Sequence, residues 1–313
     1  MPDRRTGRSG PAVTAPVAIV GLGIMGSAMA GRLMTAGLDV VGYDVDPTRA
    51  QQMRTAGATI AGSVAAAARP VDVLITSLPS GAALLEVSVA LAAAATRVVV
   101  LETSTLSVDT KLQARGLLAG AGATLLDCPL SGTGEQARHG DLVAYLSGDD
   151  EDAKARVAPV LAAIGRGQHD LGAFGNGTRV KLIANLLVAV HNAAAAEALL
   201  LAERAGLDVP AVLAAVADGA GNSRMLQIRG PLMASRSYKP ATMRVDTFAK
   251  DLAIIAAMAE GLGAPTPLFD VTAALYLTAL EQGRQAQDTS AVHAVLAGLD
   301  RPRPAVAADA PPG

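Results

Sequence analysis

Tryptophan is absent from this chain, and phenylalanine and tyrosine together make up only 2% of its 313 residues. Without aromatic platforms for bases to stack on, single-stranded nucleic acid is a poor candidate ligand. No excess of positive charge replaces them: 26 Lys and Arg against 28 Asp and Glu give a formal net charge of −2, with no basic field to attract a polyanion. A single cysteine, Cys128, excludes an internal disulfide framework and a cysteine zinc site, and reads as a small buried apolar residue. His139, His169, His191 and His293 are scattered without metal-ligand spacing, so no structural metal is expected. The opening MPDRRTGRSGPAVTAP has arginines but no apolar run, and reads as a tail rather than a secretory signal. Later Ala-rich stretches are broken by charge and glycine, as in core helices rather than membrane spans. The expectation is a cytoplasmic protein with neither nucleic acid nor membrane as partner.

What the chain does have begins at Val17. Val17, Ala18, Ile19 and Val20 form an apolar run of strand length, as suits a strand covered on both faces. GLGIMG follows, comprising Gly21, Leu22, Gly23, Ile24, Met25 and Gly26. Gly21 permits a tight turn, Gly23 lets backbone approach a pyrophosphate, and Gly26 lets the next helix lie close to the sheet. That helix, starting near Ile24, aims unpaired N–H groups and its positive dipole end at phosphates. Ala28, Leu33 and Met34 are expected to face the sheet, with Gly37 as the stop. Val40, Val41 and Tyr43 read as the second strand, which puts Asp44 at its carboxyl end, close to the roughly 20-residue offset of a ribose-binding acid. A carboxylate there accepts both ribose hydroxyls and repels a 2′-phosphate. NAD is therefore preferred, with NADP as the alternative. Asp46 competes as the acid, but Pro47 after it marks a helix start.

Further strand-like runs at Val71 to Thr76, Val98 to Leu101, Thr124 to Leu126 and Leu142 to Leu146 alternate with helix-length segments. Such alternation predicts an α/β, Rossmann-type, doubly wound and mainly parallel sheet over residues 16–177. Ligands sit beyond the carboxyl ends of such strands, which singles out Ser77 to Ser80, Glu102 to Thr105 and Asp127 to Thr133. After Phe174-Gly175-Asn176-Gly177 strand signals cease. Thr178 to Ala205 reads as one uninterrupted helix of roughly 40 Å, giving an interdomain helix over 178–206. An all-α C-terminal domain follows over 207–300, with helices at Val209 to Ala217, Arg224 to Ser235, Met243 to Glu260, Pro267 to Gln282 and Ser290 to Leu299. Residues 1–15 and 301–313 are expected to be disordered tails.

Lys181 is expected in the first turn of the long helix, with Asn185 four residues on along the same face. A cation at that end is unfavourable to the helix, and the positive dipole end would lower the lysine's proton affinity towards the range useful for acid–base chemistry. The plainer alternative is a solvated lysine. Arg179 points to another face and reads as surface.

Four motifs in order give the chain a resemblance to the β-hydroxyacid dehydrogenases, the group of 3-hydroxyisobutyrate dehydrogenase, tartronate semialdehyde reductase, glyoxylate/succinic semialdehyde reductase and L-threonate dehydrogenase. They are GLGIMGSAMA, DCPLSGTGEQARHGDL from Asp127, GNGTRVKLIAN from Gly175, and the KDL of Lys250, Asp251 and Leu252. The resemblance implies an NAD(P)-dependent enzyme interconverting a 3-hydroxy acid and its semialdehyde or oxo acid, with Lys181 as general acid–base and Asn185 beside it. It implies that Leu78 and Pro79 lie against the dinucleotide, Thr105 near the nicotinamide ribose and Lys250 beside the cofactor. Ser131, Gly132 and Thr133 match its substrate-carboxylate loop, except that the family has a second glycine where this chain has Thr133. Ala184 and Cys128 also depart, from a frequent Asn and a usual Ala. Arg224, closing the GAGNSR loop, is a candidate clamp for a second anionic group, or else a surface arginine. An imine reductase of the same fold, which usually lacks the lysine, and a non-catalytic dinucleotide-binding scaffold are the alternatives. Apolar Ala-rich helices suggest a homo-oligomer, a dimer or tetramer.

Overall fold

The structure, a computed structural model, describes residues 15–299. The two expected tails lie outside the described residues, apart from Ala15. In chain order the first elements are β1 (Val17–Val20), α1 (Ile24–Thr35), β2 (Val40–Tyr43), α2 (Pro47–Thr55), β3 (Thr59–Ile60), α3 (Val64–Ala68), β4 (Val73–Thr76), α4 (Gly81–Ala93), β5 (Val99–Glu102), α5 (Val108–Ala119) and β6 (Thr124–Asp127). Their strands form one six-stranded parallel sheet in the order β3-β2-β1-β4-β5-β6. The order reverses at β1, which pairs with β2 on one side (Val17 opposite Val40) and β4 on the other (Val17 opposite Val73). This is the doubly wound topology whose ligand crevice opens beyond β1 and β4.

Alternation along β1 divides the core. Val17 and Ile19 pack with Met29 and Leu33 of α1, while Ala18 and Val20 face Leu74, Leu84 and Leu91 on the opposite side. All four β1 residues are buried, which explains an apolar run without alternating polarity. Ala28 and Leu33 are buried and Met34 packs against the same core, and α1 ends before Gly37, whose φ of +83° suits a helix stop.

The chain continues through β7 (Leu130–Ser131), α6 (Gly134–Arg138), β8 (Leu142–Leu146), α7 (Glu151–Ile164), β9 (Gly165–Asp170) and α8 (Asn176–Arg204). Here the expected strand at Leu142 to Leu146 exists but leaves the main sheet. It is the middle of a second sheet, β7-β8-β9, antiparallel to β7 and parallel to β9. Its burial alternates, as expected of a strand with one face open.

At 29 residues, α8 is about 44 Å long. By length and composition it is the one helix among the described residues able to cross a membrane, but it buries Thr178, Asn185 and Asn192, as a core helix does. The chain divides into two compact units inside this helix, between Asn185 and Leu186. The second unit adds α9 (Val209–Ala217), α10 (Arg224–Ala234), α11 (Val245–Leu262), α12 (Pro267–Glu281), a 3-10 turn at Thr289–Ala291 and α13 (Val292–Ala297). No strand occurs among its described residues. Phe248, Phe269 and Tyr276 centre its core, with the Phe248 and Tyr276 rings meeting edge to face at 5.4 Å. The expected N-terminal α/β sheet, long helix and all-α C-terminal part are all present.

Candidate active site

The first part of the site is the turn from β1 into α1. Gly21 has φ +93°, and a Cβ on it would sit 2.2 Å from the Ser77 carbonyl oxygen. On Gly26 a Cβ would sit 1.8 Å from the Gly21 carbonyl oxygen. Neither position accepts another residue. Gly23 differs: nothing but the tip of Arg49 comes within 4 Å of a would-be Cβ, so its lack of a side chain serves open space rather than internal packing. Gly23 also caps α1 without any side-chain hydrogen bond, leaving the helix's first N–H groups for a ligand. These are the features a pyrophosphate needs, and a dinucleotide fits them.

Asp44 follows β2 with its side chain almost wholly enclosed. Its Oδ2 accepts the Leu22 N–H at 2.6 Å and its Oδ1 the Asp46 N–H at 2.8 Å. One carboxylate thus ties the glycine turn to the end of β2. Asp46 caps α2, with Pro47 at the first helical position, and the Thr48 N–H holds its carboxyl below the usual carboxylate range. Arg49, on the exposed first turn of α2, lies 3.8 Å from Asp44 and 3.4 Å from Asp46. Sequence reasoning passed over Arg49, because a lone helical arginine carries no signal until the chain brings it beside the two acids.

The segments after β4 and β5 are cross-linked. The Leu78 N–H donates to Ser104 Oγ at 2.8 Å, and Ser104 N–H in turn donates to Glu102 at 2.8 Å. Leu78 and Thr105 are half-buried and Pro79 is exposed, all beyond the carboxyl ends of neighbouring parallel strands.

The third part hangs from Asp127, the last residue of β6. Four residues on, β7 carries Ser131; Gly132 has φ +143°, and a Cβ there would meet Leu142 at 2.6 Å. Thr133 is the N-cap of α6 in a complete capping box: its hydroxyl accepts the Gln136 N–H at 3.3 Å, and Gln136 Oε1 accepts the Thr133 N–H at 3.0 Å. Thr133 therefore has a local structural use that a glycine could not serve. Cys128 is fully buried, and burial with the neighbouring Asp127 charge pushes its thiol well above the usual range, so it is inert packing.

Asp127 also holds the start of α8. Its Oδ2 accepts the Thr178 N–H at 2.8 Å and the Ser147 hydroxyl at 3.0 Å; its Oδ1 accepts the Thr178 hydroxyl at 2.7 Å and Lys111 Nζ at 2.9 Å. Ser147 Oγ accepts the Gly177 N–H at 2.9 Å. Glu102 lies 3.8 Å from the same ammonium and accepts the Thr76 hydroxyl. Lys111, Glu102, Asp127, Ser147 and Thr178 are all completely enclosed. Of this group, the sequence singles out Glu102 and Asp127, each opening a segment beyond a strand end, and gives no signal for Lys111, whose position on α5 looks like any helical lysine.

Lys181 and Asn185 lie on one face of α8, 8% and 4% exposed. Their burial replaces the solvated-lysine alternative, while Arg179 is exposed as expected. One expectation needs correction. Because α8 begins at Asn176, Lys181 is in its second turn and not its first, and the dipole argument loses most of its force one turn in. The earlier start was hidden by Gly177, a poor helix former. Arg224 and Lys250 belong to the second unit. Arg224 is exposed at the first position of α10, after the N-cap Ser223; Lys250 is half-buried on α11, 3.2 Å from Asp251.

A family model described as the NAD binding domain of 6-phosphogluconate dehydrogenase matches residues 16–180, more than half of the chain. A second, described as the NAD-binding domain of NADP-dependent 3-hydroxyisobutyrate dehydrogenase, matches 175–296. L-threonate dehydrogenase of Escherichia coli K12 is 38% identical over 186 residues, 59% of this chain; the chain spans 61% of that relative's length. The solved 3-hydroxyisobutyrate dehydrogenase of Mycobacterium tuberculosis with L-serine is 30% identical, with a TM-score of 0.83 over 90% of this chain and 99% of that one. An imine reductase from Pseudomonas sp. shares the fold at 20% identity and a TM-score of 0.58, covering 90% of this chain and 99% of that one.

Proposed function

Because the chain belongs to the 3-hydroxyisobutyrate dehydrogenase family, whose matching domains bind a nicotinamide dinucleotide, we propose that it interconverts a small 3-hydroxy acid and its semialdehyde or oxo acid. The observation that carries this reading is the burial of Lys181 and Asn185 together on one face of α8. Lysine is seldom enclosed unless its charge is paired or used. When bound, the dinucleotide supplies or accepts the hydride. The residues of this chain do the rest. Ser131, Gly132 and Thr133 orient the substrate carboxylate, and Asn185 positions the oxygen that changes bonding. In oxidation Lys181 takes the hydroxyl proton as a neutral amine; in reduction its ammonium returns a proton to that oxygen.

Gly21, Leu22, Gly23, Ile24, Met25 and Gly26 cradle the pyrophosphate, with Leu78, Pro79, Thr105 and Lys250 against the remainder of the dinucleotide. Asp44 favours NAD, because its carboxylate would face a 2′-phosphate. NADP is a second reading with one observation behind it: Arg49 lies within ion-pair range of Asp44 and Asp46, though two acids against one arginine still leave negative charge in excess. Arg224 as a clamp for a second anionic group, the boundaries 16–177, 178–206 and 207–300, and a dimeric or tetrameric assembly complete the proposal.

The test is a panel of L-threonate, 3-hydroxyisobutyrate, glyoxylate and succinic semialdehyde with NAD(H) and NADP(H), alongside Lys181→Ala. Turnover of a hydroxy acid or semialdehyde, faster with NAD(H), and a loss of about 10² or more in kcat for Lys181→Ala with NADH affinity retained are the expected results. Lys181→Ala turning over normally would remove its acid–base role. NADH binding with no turnover of any member would favour a scaffold. Preferential reduction of cyclic imines would favour an imine reductase.

A further inference from the structure

Lys111 is completely enclosed, bears a charge, and takes no part in the chemistry proposed above. Such a group has to be explained, because an ammonium withdrawn from water is costly unless its partners compensate. Its partner is Asp127 at 2.9 Å, with Glu102 at 3.8 Å. Asp127 receives donors at both oxygens, from Lys111, Ser147 and the backbone and hydroxyl of Thr178, which fills a carboxylate's acceptor positions.

How α8 is capped makes this arrangement distinctive. Helices α2, α4, α5, α7, α9 and α10 are each capped by the side chain of the residue just before them. In α8 the first-turn N–H groups of Gly177 and Thr178 are satisfied by Ser147, the residue just after β8, and by Asp127 of β6, 30 and 51 residues away. The fit is close enough that a Cβ on Gly177 would lie 2.2 Å from the Tyr145 carbonyl oxygen. Position along α8 is thereby set by the sheet rather than by local chain geometry. Lys181 is three residues beyond Thr178, and Ser131 is four residues beyond Asp127. One carboxylate anchors both the helix that presents the lysine and the strand that leads into the substrate loop.

We propose that the buried Lys111–Asp127 pair is a positioning device: Lys111 holds Asp127, and Asp127 holds the first turn of α8 in register with the Ser131 loop, so that Lys181 meets the substrate oxygen correctly. This rests on the acid–base role of Lys181. Without the Lys111 ammonium, Asp127 keeps its Ser147 and Thr178 donors but loses its counter-charge beside the equally enclosed Glu102, and its hold on Thr178 loosens.

The experiment compares full-length Lys111→Met, Thr178→Val and Thr178→Ser with the unaltered protein. Thr178→Val keeps shape and backbone N–H but removes the hydroxyl donor, whereas Thr178→Ser restores it. Amide exchange is followed by mass spectrometry, NADH affinity by fluorescence, and kcat and KM with L-threonate and 3-hydroxyisobutyrate as probes. Lys111→Met and Thr178→Val should accelerate exchange within residues 176–185 and 128–133 while leaving it unchanged in α1 and α4. In both, kcat should fall by about tenfold or more while NADH affinity stays within about twofold, since small misplacements of a reacting group cost rate before they cost binding. Thr178→Ser should recover both properties. If Lys111→Met does not fold, Thr178→Val and Thr178→Ser carry the test. Unchanged exchange in 176–185, or Thr178→Ser falling as far as Thr178→Val, would overturn the proposal. A Lys181→Met control separates the two ideas: normal turnover there removes the acid–base role, while the exchange data still decide whether Lys111 and Asp127 hold the helix.

Discussion

At the proposed substrate-carboxylate loop, a single residue changes what the backbone can offer. The family pattern has glycine at position 133, where N–H groups are free to meet a carboxylate. Here the Thr133 N–H is engaged by Gln136 Oε1, and Gln136 Nε2 is itself held by Asp141 at 2.9 Å. A bound carboxylate must share that N–H with Gln136 or do without it. Gln136→Ala should therefore lower KM for the preferred carboxylate substrate by a few-fold, since one recovered hydrogen bond is worth about 1 kcal/mol. It should also weaken α6, which loses half of its capping box, by about 1 kcal/mol or less. Steady-state kinetics and thermal unfolding of the variant separate the two effects. A raised KM would mean that the Gln136 side chain contacts the carboxylate itself.

At the scale of elements, what the sequence revealed depended on how each element is stabilised. β1, β2, β4, β5 and β6 are legible because burial on both faces demands continuous apolar runs, and α2 because Asp46-Pro47 is a capping signal. β9 was not legible: GRGQHD is mostly exposed and polar, and only its pairing with β8 makes it a strand. Two-residue β3 and β7 are too short for any period to show. The site followed the same division. Residues in a local motif, from Gly21 to Gly26 and Asp44, were visible, whereas Lys111 and Arg49 acquire a role only from partners distant in sequence or on another element. The start of α8 was misjudged for a related reason, because Gly177 opposes a helix locally and is required by tertiary contact. That conflict gives a prediction with a definite sign. Replacing a helix glycine by alanine ordinarily gains up to about 1 kcal/mol. At Gly177 the new methyl meets backbone at 2.2 Å, a clash with no flexible side chain to yield, and overpacking of this kind costs roughly 1–3 kcal/mol. Gly177→Ala should lower stability to urea; an increase would show that α8 can move away from β8 freely.

At the scale of the whole molecule, each unit is organised around a buried aspartate that gathers donors from distant segments. Asp127 does this in the first unit. In the second, Asp288 accepts from the Thr242 hydroxyl and N–H, from the Met243 and Ser290 N–H groups, and pairs with Arg229 at 3.3 Å. Burial pushes the Asp288 carboxyl upward, but Arg229 and these donors outweigh it and hold the group below its ordinary value. Its contribution is present above the ordinary carboxylate range and is lost as pH falls through its lowered native value. His293 on α13 acts sooner. It is fully enclosed, with Nδ1 3.1 Å from the Tyr238 hydroxyl, and burial pushes its pKa below 6.5 despite Glu203 at 3.4 Å. The unfolded chain takes up a proton near pH 6.5 while the native imidazole does not, so stability is complete above that pH and declines as pH falls below it. The slope approaches about 1.4 kcal/mol per pH unit for one proton and flattens once the native imidazole also titrates. His139, His169 and His191 are exposed, which leaves His293 as the buried imidazole. Urea midpoints measured between pH 8 and pH 5 should fall on the acid side, and His293→Phe should flatten that decline. An equal decline in His293→Phe would place the acid sensitivity in other groups.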